Sequence, residues 1–417
     1  LGTKLNYRKA LESPLLQWTA LGGLLAITAY LFIYDASRGN LVDFQVYLEA
    51  AKRLAAHESP YGEAFQVLAR DGRTFSLYYL YPPFLAVALM PGISASPDLL
   101  NLLWCLLNYA ALLGCAGVMT FLTGHFGSLV THWRARFIVC LFFLSCFEPV
   151  YHGIMDGQVH LLVLLTLLLI LRTSINGSPL SGFWLSLGVA LKMSPVLLGL
   201  KLLLTRDWKA VGMAIVSAAG LLLACALGGF WWLIDSFLMS TTQVLAGGRF
   251  QNFTFNFSLD RAMGAVLNLE PTSSAHVVLR GVLLALCLGV CTAVWGLSLR
   301  GKISQASELS HARLIGFLCV SLILASPLVW VHHLTWALVP LLVLLIHVPQ
   351  SGPERLRHFT IILGLYFALS QVSQLHVLSL TELPALLPVT ALFPSVCLVV
   401  IGAILLRLEL SAQKRER

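Results

Sequence analysis

The chain has 417 residues, of which 58% are hydrophobic and only 11% charged, with 27 basic and 19 acidic side chains. A water-soluble chain is about 25% charged, so this composition, with a mean hydropathy of +0.83, belongs to an integral membrane protein. Apolar runs such as LLVLLTLLLI at 161–170 are unbroken, which excludes an outer-membrane barrel, whose strands alternate, and equally excludes disorder or a coiled coil. The net charge of +8 sits in short clusters between apolar runs and forms no stripe, so no nucleic-acid partner is expected.

At roughly 20 apolar residues per crossing, the chain predicts twelve spans within a range of about 11–13. In order they are 15–34, 80–93, 98–121, 136–149, 158–172, 180–204, 209–230, 276–299, 312–326, 329–348, 358–377 and 385–407. The whole of 1–417 reads as a single all-α polytopic membrane domain without internal repeats. The nine cysteines form no CxxC pair and read as small apolar packing residues. Basic clusters at Lys4–Lys9, Lys201–Lys209, Arg300–Arg313, Arg355–Arg357 and Lys414–Arg417 place both termini on the cytoplasmic side of the plasma membrane. The loops 35–79 and 231–275 then face outward. Between 80 and 180 the scheme conflicts with itself: strict counting sends Arg134 and Arg136 outward and EPVYHGIMDGQ (148–158) inward, while the charges argue the reverse. A half-crossing or re-entrant piece near 80–93 or 148–160 resolves the conflict, since broken helices are tolerated where they line a protein cavity.

In the first outer loop, Phe44, Tyr47, Leu48, Ala51 and Leu54 recur at helical spacing, which predicts an amphipathic helix along the membrane surface, ended by Ser59-Pro60. Asp43 opens it, either as an N-cap or as a partly desolvated general base, and the two roles are compatible. The second loop opens with WWLIDSFLMS, another interfacial helix.

Four further groups stand out. Glu148, His152, Asp156, Gln158 and His160 crowd one short connection, read either as a hairpin with capping residues or as a polar cavity wall. Lys192 lies in GVALKMSPVLLGL, where an ammonium snorkels to the surface or pairs with an anionic ligand or a carboxylate, and Pro195 loosens the helix beside it. Arg249, Gln251, Asn252, Asn256, Ser258, Asp260 and Arg261 alternate with Phe250, Phe253, Phe255 and Phe257. Such a mixture suits sugar rings and phosphate, or merely anchors an interfacial loop. In SPLVWVHHLTW, Trp330 precedes the adjacent His332 and His333. Neighbouring helix positions point about 100° apart, so one histidine is expected to line a given pocket; the i+4 relation to Trp336 favours His332 for the phosphate.

The motifs VDFQVYLEAAKRL, SPYG, YLYPP (79–83), GQVH (157–160), LGVALKMSP (187–195), NFSLDR (256–261) and SPLVWVHH (326–333) together resemble glycosyltransferase family 87. These are polyprenyl-phosphate-sugar-dependent membrane enzymes of the GT-C fold, and the resemblance runs from about residue 30 to 350. It implies inverting transfer of a hexose, typically mannose, from a polyprenyl-phosphate donor to a lipid-linked or glycan acceptor on the outer face. By the same resemblance Asp43 is the base, and His332 or His333 handles the phosphate or a proton. Tyr47, Tyr81, Asp156, Gln158, His160, Lys192, Arg249, Asn252, Asn256, Arg261 and Trp330 form the substrate-binding set. The chain departs from the family at His160, where Asn is usual, and at NFTFNFSLD, where a motif nearer NQSLNG is usual. Inversion needs one carboxylate opposite a departing phosphate. No cofactor is required; a divalent cation beside Asp43 is chemically compatible but not demanded. Besides donor and acceptor, the expected partners are membrane lipids. The competing reading is a transporter or flippase for an anionic or lipid-linked substrate, which a cytoplasmic opening reaching Lys192 would favour. A non-catalytic subunit is the third reading, and it leaves the acid and the histidines without a task.

Overall fold

The computed structural model describes residues 13–37, 41–68, 72–127, 132–245, 256–267, 269–270, 273–298, 307–348, 353–375 and 387–416. Helix α1 (Pro14–Ser37) is followed by α2 (Val42–Ala55), a two-stranded hairpin of β1 (Ala64–Leu68) and β2 (Thr74–Tyr78), and α3 (Pro83–Leu89). Then come α4 (Pro97–His125), α5 (Trp133–Ser145), α6 (Glu148–Asp156), α7 (His160–Ile175) and α8 (Leu180–Leu191). A 3₁₀ turn (Ser194–Leu198) leads into α9 (Gly199–Leu204), α10 (Trp208–Leu227), α11 (Leu233–Leu245), α12 (Leu259–Val266), α13 (Ser274–Ser298) and α14 (Glu308–Leu324). A second 3₁₀ segment (Val331–Ala337), α15 (Leu338–Ile346), α16 (Pro353–Ser370) and α17 (Leu387–Glu416) close the chain.

The multi-span helical expectation holds, in a mostly helical bundle consistent with a GT-C-like fold. Among the described residues four helices are long and apolar enough to cross a bilayer: Leu16–Tyr34, Pro97–His125, Trp208–Leu227 and Thr390–Ser411. Shorter apolar helices, including His160–Ile175 and Leu180–Leu191, fill the bundle between them. Protein neighbours, rather than lipid, surround α7, whose residues from His160 to Leu171 are mostly buried.

One expectation needs correction here. The stretch 80–93 is not a crossing: α3 has 7 residues, about 10 Å of helix, because Pro82 and Pro83 start it and the Pro91-Gly92 turn ends it. The first outer loop carries its expected helix and, beyond it, a hairpin that the helical spacing does not announce. β1 and β2 pair antiparallel, with Phe65 opposite Leu77 and Val67 opposite Phe75, and Gly72 at φ +81° lies in the turn.

The conflict between 80 and 180 resolves in favour of the charges. With α3 too short to cross, α4 runs from Trp104, which touches α2, to His125, about 30 Å away. His125 Nε2 meets Glu308 at 2.7 Å, and Arg134 lies 4.6 Å from the Trp18 ring centre near the start of α1. The α4–α5 turn therefore shares an end of the bundle with the α14 start. From there α5 and α6 return, bent by 65° at their junction, and bring 148–158 back to the α2 end. Cys105, Cys115, Cys140, Cys225, Cys319 and Cys397 are free and buried, and Cys146 is free and exposed.

Candidate active site

Helix α2 buries the face that its periodicity marks: Phe44, Tyr47, Leu48, Ala51 and Leu54 are all inaccessible. Its N-cap is Leu41 in extended conformation, so Asp43 is the second helical residue and not the cap. Apolar Leu41, at 0% exposure, seats the helix start inside the protein and carries Asp43 in with it. Phe44 stacks on Trp104 with centroids 4.6 Å apart, and Trp104 Nε1 donates to the Gly157 carbonyl at 2.7 Å. Gly157 adopts φ +73°, and a Cβ there would lie 2.8 Å from that of Leu41. That close approach draws the α6–α7 turn against Asp43.

Behind Asp43, Gln158 is fully buried and its Oε1 accepts from the hydroxyls of Tyr47 at 3.1 Å and Tyr81 at 2.7 Å. Tyr81 is itself held by the Tyr61 hydroxyl, which donates to its carbonyl at 2.9 Å. With its oxygen committed, the Gln158 carboxamide is pinned in one orientation beside the acid. The Asp43 carboxyl is 8% exposed and its pKa is pushed up to about 7, first by burial and then by the charge of Asp156; the Gln158 side chain and Lys192 oppose the rise.

The chain between α8 and the 3₁₀ turn breaks at Lys192, whose φ and ψ of −159° and 132° are extended. Pro195 lacks the N–H that would continue the helix, so the single span expected over 180–204 is two pieces. Lys192 thereby projects sideways: Nζ lies 2.5 Å from His333 Nε2, 5.3 Å from the Tyr81 ring centre and 5.4 Å from that of Trp336. His333 accepts at Nδ1 from the Trp330 backbone N–H at 3.1 Å, which fixes the orientation of the imidazole beside the lysine.

A cavity of about 350 Å³ gathers Asp43, Tyr81, Lys192, Trp330, His332 and His333. The expectation that one histidine lines the pocket is corrected, since both do. The histidine pair lies on a 3₁₀ segment, where residues three apart eclipse. Consequently His333, not His332, stacks on Trp336, at 5.2 Å and 24°. Trp336 is 1% exposed and forms a core wall rather than a lipid contact. His332 instead sets its edge to Trp330 at 5.6 Å and lies 6.3 Å from the His160 ring.

The remaining candidates divide. Tyr47, Gln158 and His160 stand behind the lining; Gly153 makes room for His160, as a Cβ there would come within 2.0 Å of the ring. Asp156 acts on Asp43 through its charge. Asn256 is 2% exposed and absent from the lining: its amide donates to the Pro327 carbonyl and its oxygen accepts from the Ser258 and Val329 backbones. Arg261 donates to the Asn256 carbonyl at 3.0 Å and also lies off the cavity. Arg249 and Asn252 fall outside the described residues. Sequence reasoning missed Ser76, Leu77 and Tyr78 of β2, Phe237, Ser240 and Thr241 of α11, and Leu284 of α13, all of which line the cavity. Asp71-Gly72 was the available hairpin signal; nothing local marked the others. Trp104 was likewise unremarked within its apolar run. Among the described residues no three His, Cys, Asp or Glu side chains converge as a metal set.

Fold and cavity define a polytopic membrane protein in which a buried acid shares one cavity wall with a lysine and two imidazoles. The family model for glycosyltransferase family 87 matches residues 79–327, and the chain belongs to that family. The matched stretch includes Tyr81, Gln158 and Lys192 and lies between Asp43 and the histidine pair. A polyprenol-phosphate-mannose-dependent alpha-(1-2)-phosphatidylinositol pentamannoside mannosyltransferase of Mycobacterium tuberculosis is 26% identical over 86% of this chain and 76% of its own. The protein of the same description in Mycolicibacterium smegmatis is 27% identical over 79% and 75%. No solved structure is significantly similar. The multi-span family expectation therefore stands, together with glycosyltransferase-type chemistry in general.

Proposed function

We propose that the protein is an inverting glycosyltransferase that moves a hexose, mannose in the simplest case, from a polyprenyl phosphate to a lipid-linked or glycan acceptor on the outer face of the plasma membrane. The observation that carries this reading is the placement of Asp43 and of the Lys192–His333 pair on the wall of one cavity. The acceptor hydroxyl oxygen attacks the anomeric carbon as its proton passes to Asp43, while the bond to the phosphate breaks and its electrons leave with the carrier. A base with a pKa near working pH suits this transfer. Lys192 and the histidines meet the phosphate as its charge grows, which is where fixed donors accelerate departure. The relatives' printed names, with their polyprenol-phosphate-mannose donor, support the donor class. Asn256 and Arg261 belong to this reading as supports of the histidine segment.

The transporter reading loses ground because the cavity lining contains no described residue from the His125–Glu308 end. The test is purified protein with a panel of polyprenyl-phosphate sugars and lipid or glycan acceptors, with transfer read by mass and the product anomer by NMR. Transfer with inversion is expected. If no donor is consumed while a lipid-linked substrate crosses a reconstituted bilayer, the protein transports.

A further inference from the structure

A second cavity, of about 390 Å³, lies between α4, α5, α15 and α16, away from every residue of the Asp43 site. Its wall is almost wholly apolar, with Val139, Phe143, Leu342, Ile362 and Leu363 among its residues. Among the described residues of its wall one is cationic, Arg136, with Thr123 beside it. Water is poorly served there, because a buried water needs two to four polar partners. The space suits hydrocarbon.

The cation's depth is informative. Two residues earlier, Arg134 lies over the ring of Trp18 and also 5.6 Å from that of Trp133, and both tryptophans are about half exposed. Tryptophans with arginines at helix starts mark the membrane–water interface, so Arg136 sits at headgroup depth or just beneath it. The cavity then runs inward along α5 from Arg136 to Phe143, two turns of helix. The guanidinium also has a built seat: a Cβ on Gly124 would come within 2.7 Å of its Nη2, so the glycine lets it lie across α4. Arg172, over the Phe121 ring at 4.3 Å, adds a third arginine to this end of the bundle, where Glu308 is held by His125.

We infer that this cavity holds an acyl chain of an anionic glycerophospholipid, with the lipid phosphate on Arg136. Basic pockets between membrane helices take anionic headgroups in this manner. The local charge selects them: three arginines favour a net negative headgroup over a zwitterionic one, whose ammonium they repel. The site stands independently of the glycosyltransferase reading, since it shares no residue with the first cavity.

The test uses the full-length protein in nanodiscs of phosphatidylcholine alone or with phosphatidylglycerol. Phosphatidylglycerol should raise the wild-type unfolding temperature above that in phosphatidylcholine. The increment should vanish in Arg136→Gln, which loses the charge, and in Leu342→Trp, which fills the cavity. Each variant is compared with its own phosphatidylcholine baseline, so a change in intrinsic stability does not imitate the result. Losing one charge-assisted contact should weaken lipid retention roughly tenfold, read as phosphatidylglycerol lost from Arg136→Gln in native mass spectrometry. If Arg136→Gln does not fold, native mass spectrometry of the wild type decides alone: selective retention of phosphatidylglycerol upholds the site. Equal retention of both lipids, or an increment that survives in both variants, overturns it.

Discussion

Two buried places in this bundle each bring an acid and a base together from distant parts of the chain, and they treat them in opposite ways. At the α14–α17 junction, Arg313 Nε meets Glu409 at 2.5 Å across 96 residues of sequence, and the same guanidinium reaches His347 at 3.0 Å and Ser310 at 2.9 Å. Every strong charge there is consumed, and the C-terminal helix is clamped to the bundle. In the Asp43 cavity, the acid and Lys192 share a wall without an ion pair between them, and the lysine turns to His333. Desolvation has been met in one place by pairing and left partly unmet in the other. A buried charge without its counter-charge is costly, and the cost is tolerable where a ligand supplies the missing partner. The contrast separates charges that hold the fold from charges left without a counter-charge on a cavity wall.

The comparison breaks most visibly at Asp43. Asp43→Asn should lower sugar transfer roughly 10²–10⁴-fold, the usual worth of a general base. Its unfolding temperature should be unchanged or raised, because folding holds this carboxyl's pKa near 7, above the ordinary carboxylate range. The folded state thus binds the proton more tightly; stability falls as pH rises from that range to about 7 and is level above it, a penalty the amide escapes. A transfer assay beside a thermal melt at pH 8 checks both halves, and an inactive but strongly destabilised variant would defeat the idea.

Lys192→Met comes next, with turnover reduced roughly 10²–10³-fold, as for a lost oxyanion donor, and with stability retained. Equal turnover would show a lysine that merely fills space. Arg313→Leu should do the reverse, costing about 3–5 kcal/mol by stranding Glu409 with little effect on the turnover of the molecules that stay folded. The double variant Arg313→Leu/Glu409→Leu should recover most of the loss in a thermal melt. The gentlest probe is pH: kcat/KM should rise up to about pH 7 and then level, falling about tenfold per unit below it, as Asp43 takes up its proton. A profile flat from pH 5 to 8 would remove Asp43 from the base role.

Much of the architecture was legible because it rests on local chemistry. Apolar runs reveal a bundle, Pro195 foretells the break beside Lys192, and the Phe44–Leu54 spacing marks the buried face of α2. The charges of Arg134 and Arg136 also sided correctly against naive span counting. What escaped depends on partners remote in sequence or on a period that the residues do not announce. Nothing in YLYPP or GQVH tells that Tyr47 and Tyr81 converge on one carboxamide oxygen. Nothing in LRLEL foretells that Glu409 closes on Arg313. The adjacent histidines were read with a period of 3.6, but their segment turns every three residues, and the ring that stacks on Trp336 changed accordingly. Of the two compatible roles read for Asp43, N-cap and base, the cap position belongs to Leu41.

The Asn256 side chain and the Phe257 N–H, which donates to the Val329 carbonyl at 2.7 Å, join the end of the second large loop to the strand-like stretch just before the histidine pair. This joint has a mechanical consequence. Sequence change upstream of Asn256 leaves these bonds in place, so the joint holds the stretch before the histidine pair independently of what precedes it.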